Sequence, residues 1–413
     1  MVIPFAEMTS SAPAQATASR RVDPFYGHMW PSGSGGQVIS WLSFNQAVAS
    51  VRAGTYRMRG TDGDMTPAEA MRAMLDHHRR YSAMSLLGAT FGWHILTDQQ
   101  AKAVTGVTIT PQSSIGQALW VSGLLQRGRF VTDAWERTRR LPAAWRVNPA
   151  AGLDLLSSRI RYSEWLGITG GQQWKTPTPP GRHGILATEL AIRVAEFCPS
   201  IGAVYGERFS RWDTALPPHC VPEHTNRTAD AVLVREDGLR IIVEVVASRT
   251  NNTRVAHWVD ALAKDKKREV FLLYVDASPK GEAATAIRKA VNRQVRLSLD
   301  ATLVDVFSRI GVIKWKDWFP ALHTASEGFV TLRCVNPNRE PLDLLDPFDV
   351  AFGGDAPPAI ANAPLVYSVP KFQRERQPAP DLEPWVRTRA GLPLRRPVVP
   401  RTDRLHKPRT SAC

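Results

Sequence analysis

The stretch that most constrains the fold is residues 230–246, DAVLVREDGLRIIVEVV. Two apolar runs flank the polar turn EDGL at 236–239, where glycine permits a positive φ. Folding the runs into a hairpin brings Asp230 roughly opposite Val245, one residue from Glu244, so two carboxylates are expected to converge. Glu244 stands among Ile and Val residues that are typical of a buried strand. A charge there destabilises the fold unless a metal ion or a cation pairs with it.

The segments around this hairpin predict an α/β domain over residues 184–330. Helices and strands alternate in the predicted order: a helix at 184–197, a strand at 201–209, the hairpin, a helix near 253–267, a strand at 268–275, a helix at 281–296 and a strand at 301–307. The connection from the second hairpin strand through a helix to the next strand should be right-handed, and the two strands should be parallel.

Residues 66–165 predict a smaller, mainly helical domain. Thr66 is the expected N-cap of one long helix or two over 67–92, because Pro67 follows it and Glu69 completes a capping box. A short helix at 96–106, a helix at 109–128 capped by Thr110, strands at 129–131 and 143–147 and a helix from 148 are predicted to follow. Helix, short helix, helix and hairpin is the order of a winged helix-turn-helix.

In that interpretation the 109–128 helix enters the DNA major groove. Gln112, Ser113 and Gln117 would lie near base edges. The arginines in and beside the wing would contact phosphates: Arg127, Arg129, Arg137, Arg139, Arg140 and Arg146. The alternative is a packed helical hairpin with solvated polar residues, since the helix has no basic residue before Arg127.

The charge of the chain favours a polyanionic partner. The 413 residues carry a formal net charge of +14, which indicates nucleic acid more simply than an anionic membrane surface. With the winged helix-turn-helix interpretation, the expected partner is double-stranded DNA. There is no apolar run of membrane-spanning length and no secretory signal pattern, so no membrane partner is expected. The four cysteines have no paired spacing, which favours a reducing, cytoplasmic location.

Four further segments are predicted not to form domains of their own. Residues 1–36 are expected to be a disordered leader, 37–65 have no assignable pattern, and 166–183 resemble a Gly- and Pro-rich linker. Residues 331–413 are expected to be a Pro-rich, basic, disordered tail. Within it, 371–413 hold eleven basic and four acidic residues, a net of +7. This tail could act as a solubilising segment or as a nonspecific nucleic-acid arm.

The order of a helix bearing Glu189 and strands bearing Asp230 and Glu244 resembles the core of the PD-(D/E)xK nuclease-like superfamily. The resemblance implies a restriction-endonuclease-like α/β fold, with Asp230 and Glu244 holding Mg²⁺ and Glu189 as the acid of the first helix. It departs from the family at Val246, where a catalytic Lys would stand. Lys264 on the following helix is the first candidate to replace it, and Arg249, just past the strand, could stabilise charge but is a poor base. Without either, the domain would only bind.

The combination of both domains resembles the replication-relaxation family of actinobacterial plasmids and other mobile elements. The segments that carry the resemblance are LTDQQAKAVTG…IGQALWVSGLLQRGRFV, WRVNPAAGLDLL and DAVLV…IIVEVVASRT. It implies a DNA-binding protein acting in replication, relaxation or transfer, together with replication or transfer proteins. Mg²⁺-dependent DNA cleavage is one form of this hypothesis. The alternative is a non-enzymatic transcriptional regulator or replication-complex adaptor with an inactive nuclease-like domain.

Overall fold

The described part of the chain mixes helices and sheets, as the sequence predicts. The computed structural model describes residues 16–17, 21–26, 39–58, 64–131, 141–148, 156, 158–169, 174, 182–198, 200–212, 216, 220, 228–247, 252–278, 281–297, 304–322 and 324–353. These residues fall into two compact units. One lies within Gly27–Ile185, and the other combines Leu186–Ile360 with the N-terminal segment Met1–Tyr26.

The elements are numbered in chain order. The strands are β1 Ala16–Thr17, β2 Ile39–Leu42, β3 Leu96–Thr97, β4 Leu125–Phe130, β5 Ala144–Val147, β6 Ile201–Gly206, β7 Ala231–Arg235, β8 Arg240–Val246, β9 Val270–Asp276, β10 Ile310–Lys314, β11 Thr324–Ala325, β12 Arg333–Val335 and β13 Pro341–Asp343. The helices are α1 Phe44–Arg52, α2 Pro67–Leu75, α3 His77–Trp93, α4 Asp98–Thr105, α5 Ser114–Val121, α6 Tyr162–Thr169, α7 Arg182–Phe197, α8 Asn252–Lys264, α9 Ala283–Leu297, α10 Val304–Phe307, α11 Trp315–Trp318 and α12 Glu327–Val330.

The first unit is built around a four-stranded antiparallel sheet. Its strand order is β2-β4-β5-β3, so the short strand β3 pairs with β5, the second strand of the β4–β5 hairpin. In the chain, α4 and α5 lie between β3 and β4. Gly128 allows β2 to approach β4, since a Cβ there would meet the Trp41 ring at 2.7 Å. The segment 37–65, whose sequence has no assignable pattern, contains β2 and α1.

Several predicted helix boundaries in this unit hold and one does not. Thr66 caps α2 with the predicted capping box, and the 67–92 segment is two helices that meet at Asp76. The 109–128 helix is shorter than predicted, and Ser113 rather than Thr110 is its N-cap. Its C-terminal part is strand β4, because Leu125 and Phe130 are buried in the sheet.

The second unit contains a seven-stranded mixed sheet of order β13-β12-β10-β9-β8-β7-β6. Strands β8, β9 and β10 are parallel, which is the arrangement expected for the crossover from the hairpin, and the other neighbours are antiparallel. The central strands β8 and β9 are buried almost throughout, which explains their continuous Ile, Val, Leu and Phe runs.

The prediction of a strand at 301–307 is wrong. Val304–Phe307 forms a short helix, and the strand is the next apolar run, IGVIK at β10. Short apolar runs do not distinguish a strand from a helix by period alone. An ion pair of 3.3 Å between Arg309 and Asp305, four residues apart, accompanies the helical turn.

Three predicted non-domain segments contain packed residues. Arg21 and Asp23 of the leader are buried, so that part of the leader was wrongly predicted. The linker also includes packed residues, since the Trp174 indole donates to the Asn148 carbonyl at 2.7 Å. The predicted start of the tail, residue 331, is too early, because β12 and β13 extend the sheet. Pro341 is tolerated in β13 because β13 is an edge strand. Residues 354–413 lie outside the described part of the chain.

Candidate functional site

Asp230 and Glu244 converge at the start of the β7–β8 hairpin. The register pairs Ala231 with Val243, and its continuation places Asp230 opposite Glu244, one residue from the position expected. Residues that face each other in a ladder point to the same side of the sheet. Asp230 also closes the hairpin itself: its amide donates to the Val243 carbonyl at 3.1 Å, and its Oδ2 accepts from the Val245 amide at 2.7 Å.

A cation from the following helix binds Glu244. Arg254 Nη2 lies 2.7 Å from Glu244 Oε1 and also donates to the Thr228 carbonyl at 2.6 Å. The Trp258 indole donates to the same Oε1 at 3.0 Å. Arg254 and Trp258 are four residues apart and therefore share one face of α8. That face turns towards the sheet, since Trp258 is buried and its indole reaches Glu244 on β8.

Burial dominates the electrostatics of the site. It raises the pKa of Glu244 above its ordinary value; Arg254 opposes this shift, and Asp230 adds to it. Burial by itself lowers the pKa of Arg254, but Glu244 and Asp230 raise it, and the net shift is upward. The site therefore contains a permanent cation beside a carboxyl group that takes up a proton more readily than usual.

Tyr274 contributes a third polar group. It lies beside Glu244 in the parallel β8–β9 register, and its buried hydroxyl has no hydrogen-bond partner among the described residues. Burial, and next the nearby Glu244, raise the pKa of Tyr274 well above its ordinary value, so the phenol stays protonated. It is a hydrogen-bond donor held close to Glu244.

This donor set does not fit the Mg²⁺ that the nuclease resemblance implies. A guanidinium and an indole already bind Glu244 Oε1, and Asp230 Oδ2 accepts a backbone hydrogen bond, so one oxygen of each carboxyl group is engaged by the protein. Mg²⁺ prefers ionised oxygen ligands, and the raised pKa of Glu244 works against ionisation. Within the described residues, no group of three His, Cys, Asp or Glu side chains is placed to hold a metal ion.

Lys264 does not replace the missing catalytic lysine. It is the last residue of α8 and is exposed, ten residues after Arg254, which corresponds to about 15 Å along the helix. Val246, at the position of the family's lysine, is the last residue of β8 and is half-buried. Among the described residues, the cation that binds Glu244 is Arg254.

Glu189, the acid of the predicted first helix, belongs to a buried ion-pair network. Arg193 Nε and Arg21 Nε lie 3.1 Å and 3.2 Å from Glu189 Oε1. Arg193 Nη2 also binds Asp23 Oδ2 at 2.8 Å, and Arg21 binds Glu196 through both terminal nitrogens. Burial alone would lower the pKa of Arg21, but Glu189 and Glu196 raise it above its ordinary value. Glu189 thus anchors the N-terminal segment to α7.

The predicted base-reading residues lie at the start of α5. Gln112 is exposed and Gln117 is half-buried. Ser113 serves the helix instead of a base: its hydroxyl accepts from the Gly116 amide at 3.2 Å and donates to the Thr110 carbonyl at 2.9 Å.

The predicted phosphate-binding arginines differ in their accessibility. Arg129 is exposed on β4. Arg127 lies 3.9 Å over the Trp120 ring and donates to the Pro111 carbonyl. Arg146 lies 4.3 Å over the Trp41 ring and donates to Gln126 Oε1 at 2.6 Å. The other predicted wing arginines lie outside the described residues: Arg137, Arg139 and Arg140.

Sequence reasoning missed Arg254, Trp258 and Tyr274. A signal for the first two exists in NTRVAHWVDALAK, where Arg254, Trp258 and Leu262 follow at intervals of four residues and so share one helical face. An arginine in such an apolar stripe indicates a buried anionic partner. The position of Tyr274 depends on the β8–β9 register, which the sequence alone does not fix.

Comparisons with protein-family models, with curated proteins and with solved structures found no match for this chain. Among the helices of the described residues, none combines the length and apolar composition needed to cross a membrane. The described cysteines, Cys198, Cys220 and Cys334, are free thiols in buried positions.

Proposed function

We propose that this chain is a double-stranded DNA-binding protein in which residues 66–165 form a winged helix-turn-helix. The observation that carries the proposal is the pairing of β3 with β5 of the β4–β5 hairpin, with α4 and α5 connecting β3 to β4. A winged helix-turn-helix places its second helix in the major groove and its hairpin beside the backbone. The net charge of +14 supports an anionic ligand.

The proposed DNA-binding face combines the start of α5 with the hairpin. Gln112, in the turn before the N-cap of α5, is available for base edges, and Gln117 lies within the helix. Arg129 supplies a phosphate contact from the hairpin. Arg127 instead stacks on Trp120 of α5, and Arg146 stacks on Trp41 of β2, so both guanidinium groups are engaged within the unit.

We expect the full-length protein to bind duplex DNA with an affinity that falls steeply as salt rises, because phosphate contacts release counterions. Arg129→Gln should lower the slope of log K against log salt by about 0.9, the value for one phosphate contact. Fluorescence anisotropy with a labelled duplex measures both quantities. Arg52→Gln removes an exposed charge from the end of α1 and is the matched control. Salt-independent binding, or none at micromolar protein, contradicts the proposal.

The second unit is proposed to be a nuclease-like domain that does not cleave DNA. Arg254 neutralises Glu244 from within the protein, in the place where the resemblance implies Mg²⁺. This favours a regulator or replication-complex adaptor over a Mg²⁺-dependent deoxyribonuclease. The resemblance to the replication-relaxation family supports a role in the replication or transfer of a mobile element, with proteins of those processes as partners.

Cleavage remains the second candidate function because one observation favours it. Asp230 and Glu244 converge as they would in a metal-dependent nuclease. Cleavage would require Arg254 to leave Glu244, which breaks the 2.7 Å ion pair.

A further inference from the structure

Helix α9 of the second unit has a row of unpaired cations along one face. Lys289, Arg293 and Arg296 are exposed, and their spacing of four and three residues places them on one side of the helix. The helix sequence AATAIRKAVNRQVRL contains no acidic residue. None of the three cations has a hydrogen-bond or ion-pair partner among the described residues. The row is therefore a surface of uncompensated positive charge.

The opposite face of α9 is buried in the second unit. Ala283, Ala284, Ile287 and Val291 are buried against β9, β10 and α8. A helix that binds in a membrane interface must insert its apolar face among the lipids. That face is not accessible here, so any ligand of α9 must be recognised by charge.

The neighbouring helix α8 adds two cations to this surface. Helices α8 and α9 each connect successive parallel strands of one sheet, and the two helices pack together. Their C-terminal ends therefore lie at the same end of the strands, where β9 and β10 begin. Lys264 ends α8 and Lys266 follows it; both are exposed, and neither side chain has an ion-pair partner among the described residues. This explains the position of Lys264, which is remote from the carboxylates.

We propose that this basic helix surface, formed by Lys264, Lys266, Lys289, Arg293 and Arg296, binds the phosphate backbone of duplex DNA. The cations of α9 follow each other at about 6 and 4.5 Å along the helix axis. Duplex DNA presents a phosphate about every 3.4 Å of its axis on each strand, so such a row meets several phosphates at once. The contact positions DNA and does not read its sequence. The inference rests on the proposed function for its ligand but uses other residues.

The test compares two triple variants of the full-length protein. Lys289→Gln/Arg293→Gln/Arg296→Gln removes the α9 row, and glutamine keeps a high helix propensity. Arg52→Gln/Lys314→Gln/Lys316→Gln removes three exposed cations from elsewhere and is the charge-matched control. The salt dependence of binding to a labelled duplex is measured for both, and anionic phosphatidylserine vesicles are tested in parallel.

The α9 triple should lower the slope of log K against log salt by roughly 2–3, which is the sum of three phosphate contacts. The control triple should keep the wild-type slope. An unchanged slope in the α9 triple, or an equal loss in the control, overturns this inference and leaves the function of residues 66–165 standing. Absence of DNA binding by the wild type overturns both. Loss of vesicle binding alone assigns the surface to lipid and also overturns the inference.

Discussion

Replacing Arg254 with methionine is expected to lower the free energy of unfolding at pH 8 by about 2–4 kcal/mol. The variant leaves the carboxyl of Glu244, whose side chain is 6% exposed, without the cation that lies 2.7 Å away. The loss is below that of a fully buried pair because the Arg254 side chain is 31% exposed. The change is measured by urea unfolding of the full-length protein, with hydrogen exchange of the β8 amides reporting on the second unit.

Two further variants isolate the charge as the cause. Glu244→Gln retains an oxygen that can accept from Arg254 and Trp258 but removes the negative charge. The double variant Arg254→Met/Glu244→Gln should recover most of the stability lost in Arg254→Met, because no unpaired ion remains. A double variant as unstable as Arg254→Met would show that packing of Arg254, and not its charge, matters.

The same substitution should extend to higher pH the range over which stability falls as pH rises. The pKa of Glu244 is already raised in the folded state, and loss of Arg254 raises it further. The folded state then holds a proton that the unfolded state releases near its ordinary pKa of about 4.3. Stability is therefore full at lower pH and falls as pH rises above that value, by up to about 1.4 kcal/mol per unit. A pH-independent loss in Arg254→Met contradicts this account.

Replacing Arg193 with methionine is expected to destabilise the second unit by about 3–5 kcal/mol. Arg193 is fully buried, and the variant leaves Glu189 and Asp23 without its guanidinium in the interior. It also removes the stacking of this group 4.2 Å over the Phe319 ring. Differential scanning calorimetry should show a decrease of roughly 10 °C in the melting temperature of the unit.

The loss should also release the N-terminal segment. Arg21 is buried and paired in the native protein, so trypsin should cut the Arg21–Val22 bond slowly in the wild type and rapidly in Arg193→Met. Arg293→Met applies the same substitution to an exposed site and should change stability by less than about 0.5 kcal/mol. Similar melting temperatures for both variants would contradict a structural role for the network.

Local patterns were sufficient to predict much of the fold. The capping box at Thr66, the turn at Gly238 and the apolar runs of β7, β8 and β9 each have a direct physical cause within a few residues. Elements that depend on distant partners were missed. Leader residue Arg21 is buried because of Glu189, and the segment after β13 is held by Arg235, which donates to the Leu344 and Val350 carbonyls. Composition cannot reveal such pairing.

The candidate site was predictable in part for the same reason. Hairpin geometry was enough to predict that Asp230 and Glu244 converge, and the cost of burying Glu244 required a partner. The sequence alone does not decide whether that partner is a metal ion or a cationic side chain. Arg254 lies ten residues further along the chain, and its approach depends on how α8 packs on the sheet. The sequence favours Lys264 on its chemistry alone, because it does not show how α8 packs.

The central claim is that the protein binds duplex DNA without cleaving it. It is tested most directly by incubating the full-length protein with supercoiled plasmid at low salt, in Mg²⁺, in Mn²⁺ and in EDTA. We expect the plasmid to be retarded on a gel in all three conditions, least in the divalent cations because they compete for the phosphates, with no nicked or linear product. Glu244→Gln should behave identically, since its carboxylate is not assigned to a metal. Nicking that requires Mg²⁺ or Mn²⁺ and disappears in Glu244→Gln would contradict the account, as would plasmid that is not retarded in any condition.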